Sequence, residues 1–102
     1  MDPDSSILEF MIADVVAPIA GRDAGKLHYV VAADEIYLYL ANGKDRSLEK
    51  PKRKKRKHAN KVLRSETRVA AKIRNGDKVL NSELRRDLAY LSRELQSNNL
   101  GG

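Results

Sequence analysis

Ala20-Gly21-Arg22-Asp23-Ala24-Gly25-Lys26 runs directly into Leu27-His28-Tyr29-Val30-Val31-Ala32-Ala33. The first half reads as a turn and the second as a strand. Two glycines bracket three residues, which allows tight backbone with positive φ. The β-branched and aromatic residues that follow suit a pleated surface. A nucleotide-binding P-loop needs four residues between its glycines and a Ser or Thr after the lysine. Here the spacing is one short and Leu27 follows Lys26. The turn therefore joins two strands. Its upstream partner is Ile12 to Ala17, with Ile12, Val15 and Val16 as apolar content and Pro18 at its end, because proline has no ladder donor.

Downstream, Asp34-Glu35 predicts a turn. Ile36 to Ala41 then alternates, with Ile36, Leu38 and Leu40 on one face and Tyr37 and Tyr39 on the other. Asn42-Gly43 is a favoured hairpin dipeptide. Ser47 to Lys50 and Arg56 to Val62 supply two further short strands. Pro51 interrupts them, so a loop is expected through the middle of the basic run, residues 50–58, with the later strand only a piece near its end. After Leu63 the period becomes helical. Ser65 is the expected N-cap of a first helix carrying Val69, Ala70 and Ile73 and closed by Asn75-Gly76. Asn81 or Ser82 caps a second helix with Leu84, Leu88, Leu91 and Leu95 on one stripe. That stripe reads as core cover rather than a dimer interface, so a monomer is expected. Residues 1–11 form a lead-in, with one helical turn from Pro3 and Ile7, Leu8 and Phe10 over the edge of the core. Residues 12–63 form the β domain, 64–96 a helical pair, and 97–102 a disordered tail.

The charge is segregated. Residues 1–43 carry Arg22 and Lys26 against seven anions, a net of −5. Residues 44–64 carry eleven cations against Asp45 and Glu49, a net of +9, and residues 65–102 add +2 to give +6 overall. The centre is Lys50-Pro51-Lys52-Arg53-Lys54-Lys55-Arg56-Lys57-His58, in which seven of nine residues are fixed cations. Such density repels itself in water. It becomes favourable where it displaces counterions from a polyanion, of which nucleic acid is the commonest in a cell.

Other chemistries find little support. There is no cysteine, hence no disulfide, thiolate metal site or thiol nucleophile. His28 and His58 stand thirty positions apart, without the company a metal site needs. The acidic residues show no paired spacing and the serines no base partner, so no enzyme, cofactor or metal is expected. No apolar run approaches the roughly 20 residues of a membrane span. The N-terminus lacks the basic start and apolar stretch of a secretory signal. The reading is a cytoplasmic protein with no membrane contact.

The ordered series from Ala20 to Lys26, the strand Leu27 to Val31, Asp34-Glu35, the third strand, Asn42-Gly43, the basic stretch and Lys57-His58 resembles the KOW motif over residues 12–62. It is most similar to the form in archaeal and eukaryotic large-subunit ribosomal proteins of the L-fourteen-e type and their bacterial relatives. The resemblance implies an SH3-like five-stranded barrel, here followed by two helices. It further implies RNA binding, with ribosomal RNA as partner and ribosomal proteins as possible neighbours. Contacts are expected from Arg22 and Lys26 in the glycine turn. The basic segment would add Lys44, Arg46, Lys50, Lys52, Arg53, Lys54, Lys55, Arg56, Lys57, His58 and Lys61. The alternative is a transcription-elongation KOW module that contacts polymerase as well as nucleic acid. Tyr37 and Tyr39 are expected as half-buried strand residues, with base stacking as the competing role.

Overall fold

The computed structural model describes residues 9–101. Five strands, β1 (Asp14–Pro18), β2 (His28–Ala33), β3 (Tyr37–Ala41), β4 (Lys52–Lys55) and β5 (Ala59–Arg64), form one antiparallel sheet in the order β4-β3-β2-β1-β5. Two helices follow, α1 (Arg68–Asn75) and α2 (Asn81–Gly101). The register shifts between Val15 and Val16 and between Val30 and Ala32. Such irregularities bend and twist a strand, and the sheet curls into a half-barrel.

Both faces of the sheet are buried, which explains the apolar pattern of its central strands. Phe10, Val16, Val30, Leu38, Leu40 and Ala59 fill the concave side. Val15, Tyr29 and Ala41 face the other way and meet Val69 and Ala70 of α1 and Leu84, Leu88 and Leu91 of α2. Phe10 covers the core edge, as the lead-in predicts; residues 1–8, with the expected helical turn, lie outside the described residues.

One polar cluster joins the layers. The hydroxyl of Tyr29 donates to Asp87 Oδ2 of α2 at 2.5 Å and lies 2.8 Å from Ser65 Oγ. Thr67 Oγ1 also donates to Asp87 Oδ2, at 2.9 Å. Burial, and then the Asp87 carboxylate, push the Tyr29 phenol up to about 12. This cluster corrects the expected cap. Thr67, not Ser65, is the N-cap of α1 and accepts from Ala70 N at 3.2 Å. Ser65 is drawn inward to partner the tyrosine. Gly76, at φ 74°, ends the helix as expected.

The segment between β3 and β4 differs from the sequence reading. Asn42-Gly43 does not make a two-residue hairpin. Asn42 Oδ1 accepts from Lys44 N and Arg46 N, and the chain loops through residues 42–51. Ser47 to Lys50 is not a strand, because α2 holds this loop. Asn81 does not cap its helix; its Oδ1 accepts from Leu48 N and its Nδ2 donates to Glu49. Glu83 serves the helix start instead, accepting from Leu80 N at 3.1 Å. Arg85 Nη1 donates to Gly43 O at 3.0 Å.

The basic run is the largest correction. Residues 50–58 are not a loop: Lys52–Lys55 is β4, paired with β3 through Leu40↔Lys52, Tyr39↔Arg53, Leu38↔Lys54 and Tyr37↔Lys55. Pro51 lies at the entry of an edge strand, where a missing donor costs no ladder bond. Lysines on an edge also discourage pairing with other chains. Arg56–His58 form a single 3-10 turn, so the last strand begins at Ala59 rather than Arg56. The final helix continues to Gly101, through the tail expected to be disordered from residue 97.

Replacing Tyr29 by Phe should lower unfolding free energy by about 2 kcal/mol, since it removes hydrogen bonds to a charged, part-buried acceptor; denaturant titration measures it. Gly43 and Gly25 make a controlled pair. Both have positive φ, 77° and 78°, but a Cβ on Gly43 would lie 2.2 Å from Asn81 O while one on Gly25 meets nothing within 4 Å. Gly25→Ala should cost about 1 kcal/mol and Gly43→Ala on the order of 3 kcal/mol or more. Equal melting temperatures would show that α2 does not press on the loop.

Candidate nucleic-acid interface

β4 sorts its cations by strand alternation. Lys52 and Lys54 share a face with Leu40 and Leu38 and are half-buried. Arg53 and Lys55 share the tyrosine face and are exposed. The Arg53 guanidinium lies 4.4 Å from the Tyr37 ring centroid. Tyr39 donates its hydroxyl to Asp34 Oδ2 at 3.3 Å. Both tyrosines are half-buried, as the sequence reading favoured. They continue the row of Ala41 beyond the helices, so the helical core covers only part of that row.

The 3-10 turn carries the strip onward. Lys57 and His58 are exposed on it. Arg56 is different: its guanidinium donates to the carbonyl oxygen of Asp34 at 2.9 and 2.6 Å, and its backbone N–H donates to Ile36 O. Asp34 also accepts from Ile36 N and Tyr37 N at Oδ1, and these bonds hold its carboxyl below the usual range. Arg56 thus pins the β2–β3 turn against the end of β4.

The glycine turn is internally braced. Gly21 and Gly25 have φ of 90° and 78°, and Gly25 N donates to Pro18 O at 3.0 Å. Asp23 points inward and accepts from Arg46 Nε and Nη2 at 3.0 and 2.8 Å. Burial would raise the Asp23 carboxyl, but the Arg46 hydrogen bonds and charge outweigh it and hold it low. Lys26 pairs with Asp45 at 3.1 Å, and these bonds likewise lower Asp45. On β5, Lys61 Nζ is 3.5 Å from the buried Asp14 carboxylate and 5.6 Å from the Phe10 centroid. Arg64 Nε lies 3.4 Å from the same carboxylate.

The thirteen residues expected at the interface therefore separate. Lys26, Arg46, Arg56 and Lys61 are engaged within the protein. Arg22 is exposed on the glycine turn, and Lys44 is exposed on the β3–β4 loop. Lys50, Lys52, Arg53, Lys54, Lys55, Lys57 and His58 form one strip along β4 and the turn after it. Among the described residues none of these seven makes an ion pair. The strip and the glycine turn share a cavity. Gly21, Lys54 and His58 line a cavity of about 320 Å³ together with Ile19 and Ala20. Ile19 has no signal in the sequence. It follows a strand-ending proline, outside either period, so its exposure could not be read in advance.

Among the described residues no three His, Asp or Glu side chains gather as a metal site. His28 is buried on the face of Val16 and Val30. Its Nδ1 lies 2.8 Å from the Lys26 carbonyl, so Nδ1 carries the proton and the buried Nε2 has no partner. No helix among the described residues is long and apolar enough to cross a membrane. No protein-family model matches the chain, and comparison with curated proteins finds no match.

Burial drives the His28 pKa below its ordinary 6.5, against the opposing pull of the Lys26 carbonyl and Asp23. The unfolded chain then takes up the proton more readily. Stability should be fully present above about 6.5 and decline as pH falls below it. Denaturant midpoints at pH 7.5 and 5 should show this loss, smaller in His28→Gln and retained in His58→Gln. Equal acid losses in all three proteins would assign the effect elsewhere.

Proposed function

We propose that the protein binds RNA without catalysing a reaction, and that its curled sheet is an SH3-like barrel of the KOW type. Ribosomal RNA in the cytoplasm is the partner this reading favours, with neighbouring ribosomal proteins as secondary contacts.

One observation carries the proposal: the distribution of neutralised charge. Acidic side chains sit against cations outside the strip, as Asp23 does against Arg46, Asp45 against Lys26, and Asp14 against Lys61 and Arg64. Among the described residues no ion pair reaches the other cations of the strip from Lys50 to Lys57, and Arg56 is held by the Asp34 carbonyl. A strand rises roughly 3.3 Å per residue, so alternate cations on one face stand about 7 Å apart in a fixed row. A row of unpaired cations on rigid backbone suits a chain of phosphates, whose neutralisation releases counterions. Lysine and arginine contacts of this kind position a nucleic acid and carry little sequence information. The meander order with β5 returning to β1 is also the strand order an SH3-like barrel requires.

The test is salt dependence of binding to single-stranded RNA. Lys50, Lys55 and Lys57 are exposed and make no ion pair among the described residues, so changing all three to Gln should spare the fold. The slope of log affinity against log salt should flatten by about 2 units, from roughly 0.7 per lost phosphate contact. Unchanged affinity and slope would overturn the proposal.

A further inference from the structure

The cavity where the glycine turn meets the basic strip has an apolar wall that phosphate binding does not use. One wall is Ile19, Ala20 and Gly21; the other is Lys54 and His58. Ile19 is 53% exposed and belongs to neither core cluster. A lone exposed isoleucine needs no explanation by itself, but this one lines a concave site beside a half-buried, unpaired lysine. A cation that is partly desolvated without a partner is costly unless a ligand supplies one.

From these features we infer that the cavity takes one unpaired nucleotide of a single-stranded RNA. The inference rests on the RNA reading above and adds to it a preference for strand state. The volume, about 320 Å³, lies at the low end of ligand pockets, which run from about 300 to 1,000 Å³, and so suits one nucleotide. The apolar wall offers Ile19 and Ala20 to the face of a base. Gly21 leaves the backbone bare: a Cβ there would meet no atom within 4 Å, so a planar ring can approach unhindered. Lys54 and His58 on the opposite wall meet the phosphate. The walls are fixed before binding, since Ile19 N donates to His58 O at 3.0 Å and Ala24 N to Gly21 O at 3.2 Å. Preorganisation of this kind reduces the ordering cost of binding. A paired base cannot enter, because only unstacked bases of single strands can be splayed against a protein wall. The strip from Lys50 to Lys57 would then hold the flanking phosphates on either strand state.

The experiment compares a mixed-sequence 12-nucleotide RNA with the duplex it forms with its complement. With methyl-labelled protein, the single strand should shift the Ile19 methyl resonance upfield through the ring current of the base. The duplex should not, and the Leu80 methyls, exposed on the entry to α2, should stay still with both. Ile19→Ser should weaken single-strand binding about tenfold, the loss expected when one apolar side-chain contact with a base is removed. Duplex binding should change less than twofold. An unmoved Ile19 methyl at saturation, or equal loss on both RNAs, overturns the nucleotide site while leaving RNA binding intact. If the parent protein binds neither RNA, the RNA reading itself fails and this site falls with it.

Discussion

The buried hydroxyl of Tyr29 is the constraint on which the arrangement of layers depends. Its ring belongs to the helix-side core, in the same row as Val15 and Ala41. Its oxygen would be stranded there without partners, and an unpaired buried hydroxyl is expensive. Ser65, Thr67 and Asp87 supply them. Those residues come from just past the end of β5, the cap of α1 and the second turn of α2. One side chain thereby fixes where the chain leaves β5, where α1 begins and how α2 is rotated. With α2 so placed, its first two turns reach the β3–β4 loop through Asn81 and Arg85, and only glycine fits at position 43. The loop's path in turn sets where β4 starts, and hence where the basic strip lies.

The strip is a liability to the fold in isolation, because like charges at neighbouring strand positions repel. Three features offset the repulsion. β4 is an edge, so the exposed charges of Arg53 and Lys55 remain hydrated. Arg53 stacks on Tyr37, which uses the ring's electron density rather than a carboxylate. Backbone pairing to β3 holds the lysines regardless of their side chains. Ion pairs elsewhere position loops more than they stabilise them. Lys26–Asp45 is exposed, and solvent-screened pairs of this kind contribute little to stability. Asp23 differs: it is buried, and removing Arg46 would leave an uncompensated charge beside His28. Arg46 thus belongs to the fold although it lies within the basic segment.

Local chemistry by itself determined much of this protein. The strands around Val15, Val30 and Leu38, the positive-φ glycines of the turn, the Gly76 helix stop and the leucine face of α2 all follow from period and conformational preference. These depend on residues a few positions apart, and such spacing is written in the chain. The location of the excess charge is legible for the same reason. Tertiary structure decided the rest, and in each case a distant partner outweighed a local preference. Ser65 gave up its cap to Tyr29, thirty-six residues away. Asn81 gave up its cap to Leu48 and Glu49. Pro51 did not open the basic run into a loop, because an edge position asks nothing of its missing donor. Which cations are engaged and which stand free turns on where Asp23, Asp34, Asp45 and Asp14 come to lie. That is a matter of three-dimensional proximity across 19 to 50 residues of chain, on which sequence spacing carries no information.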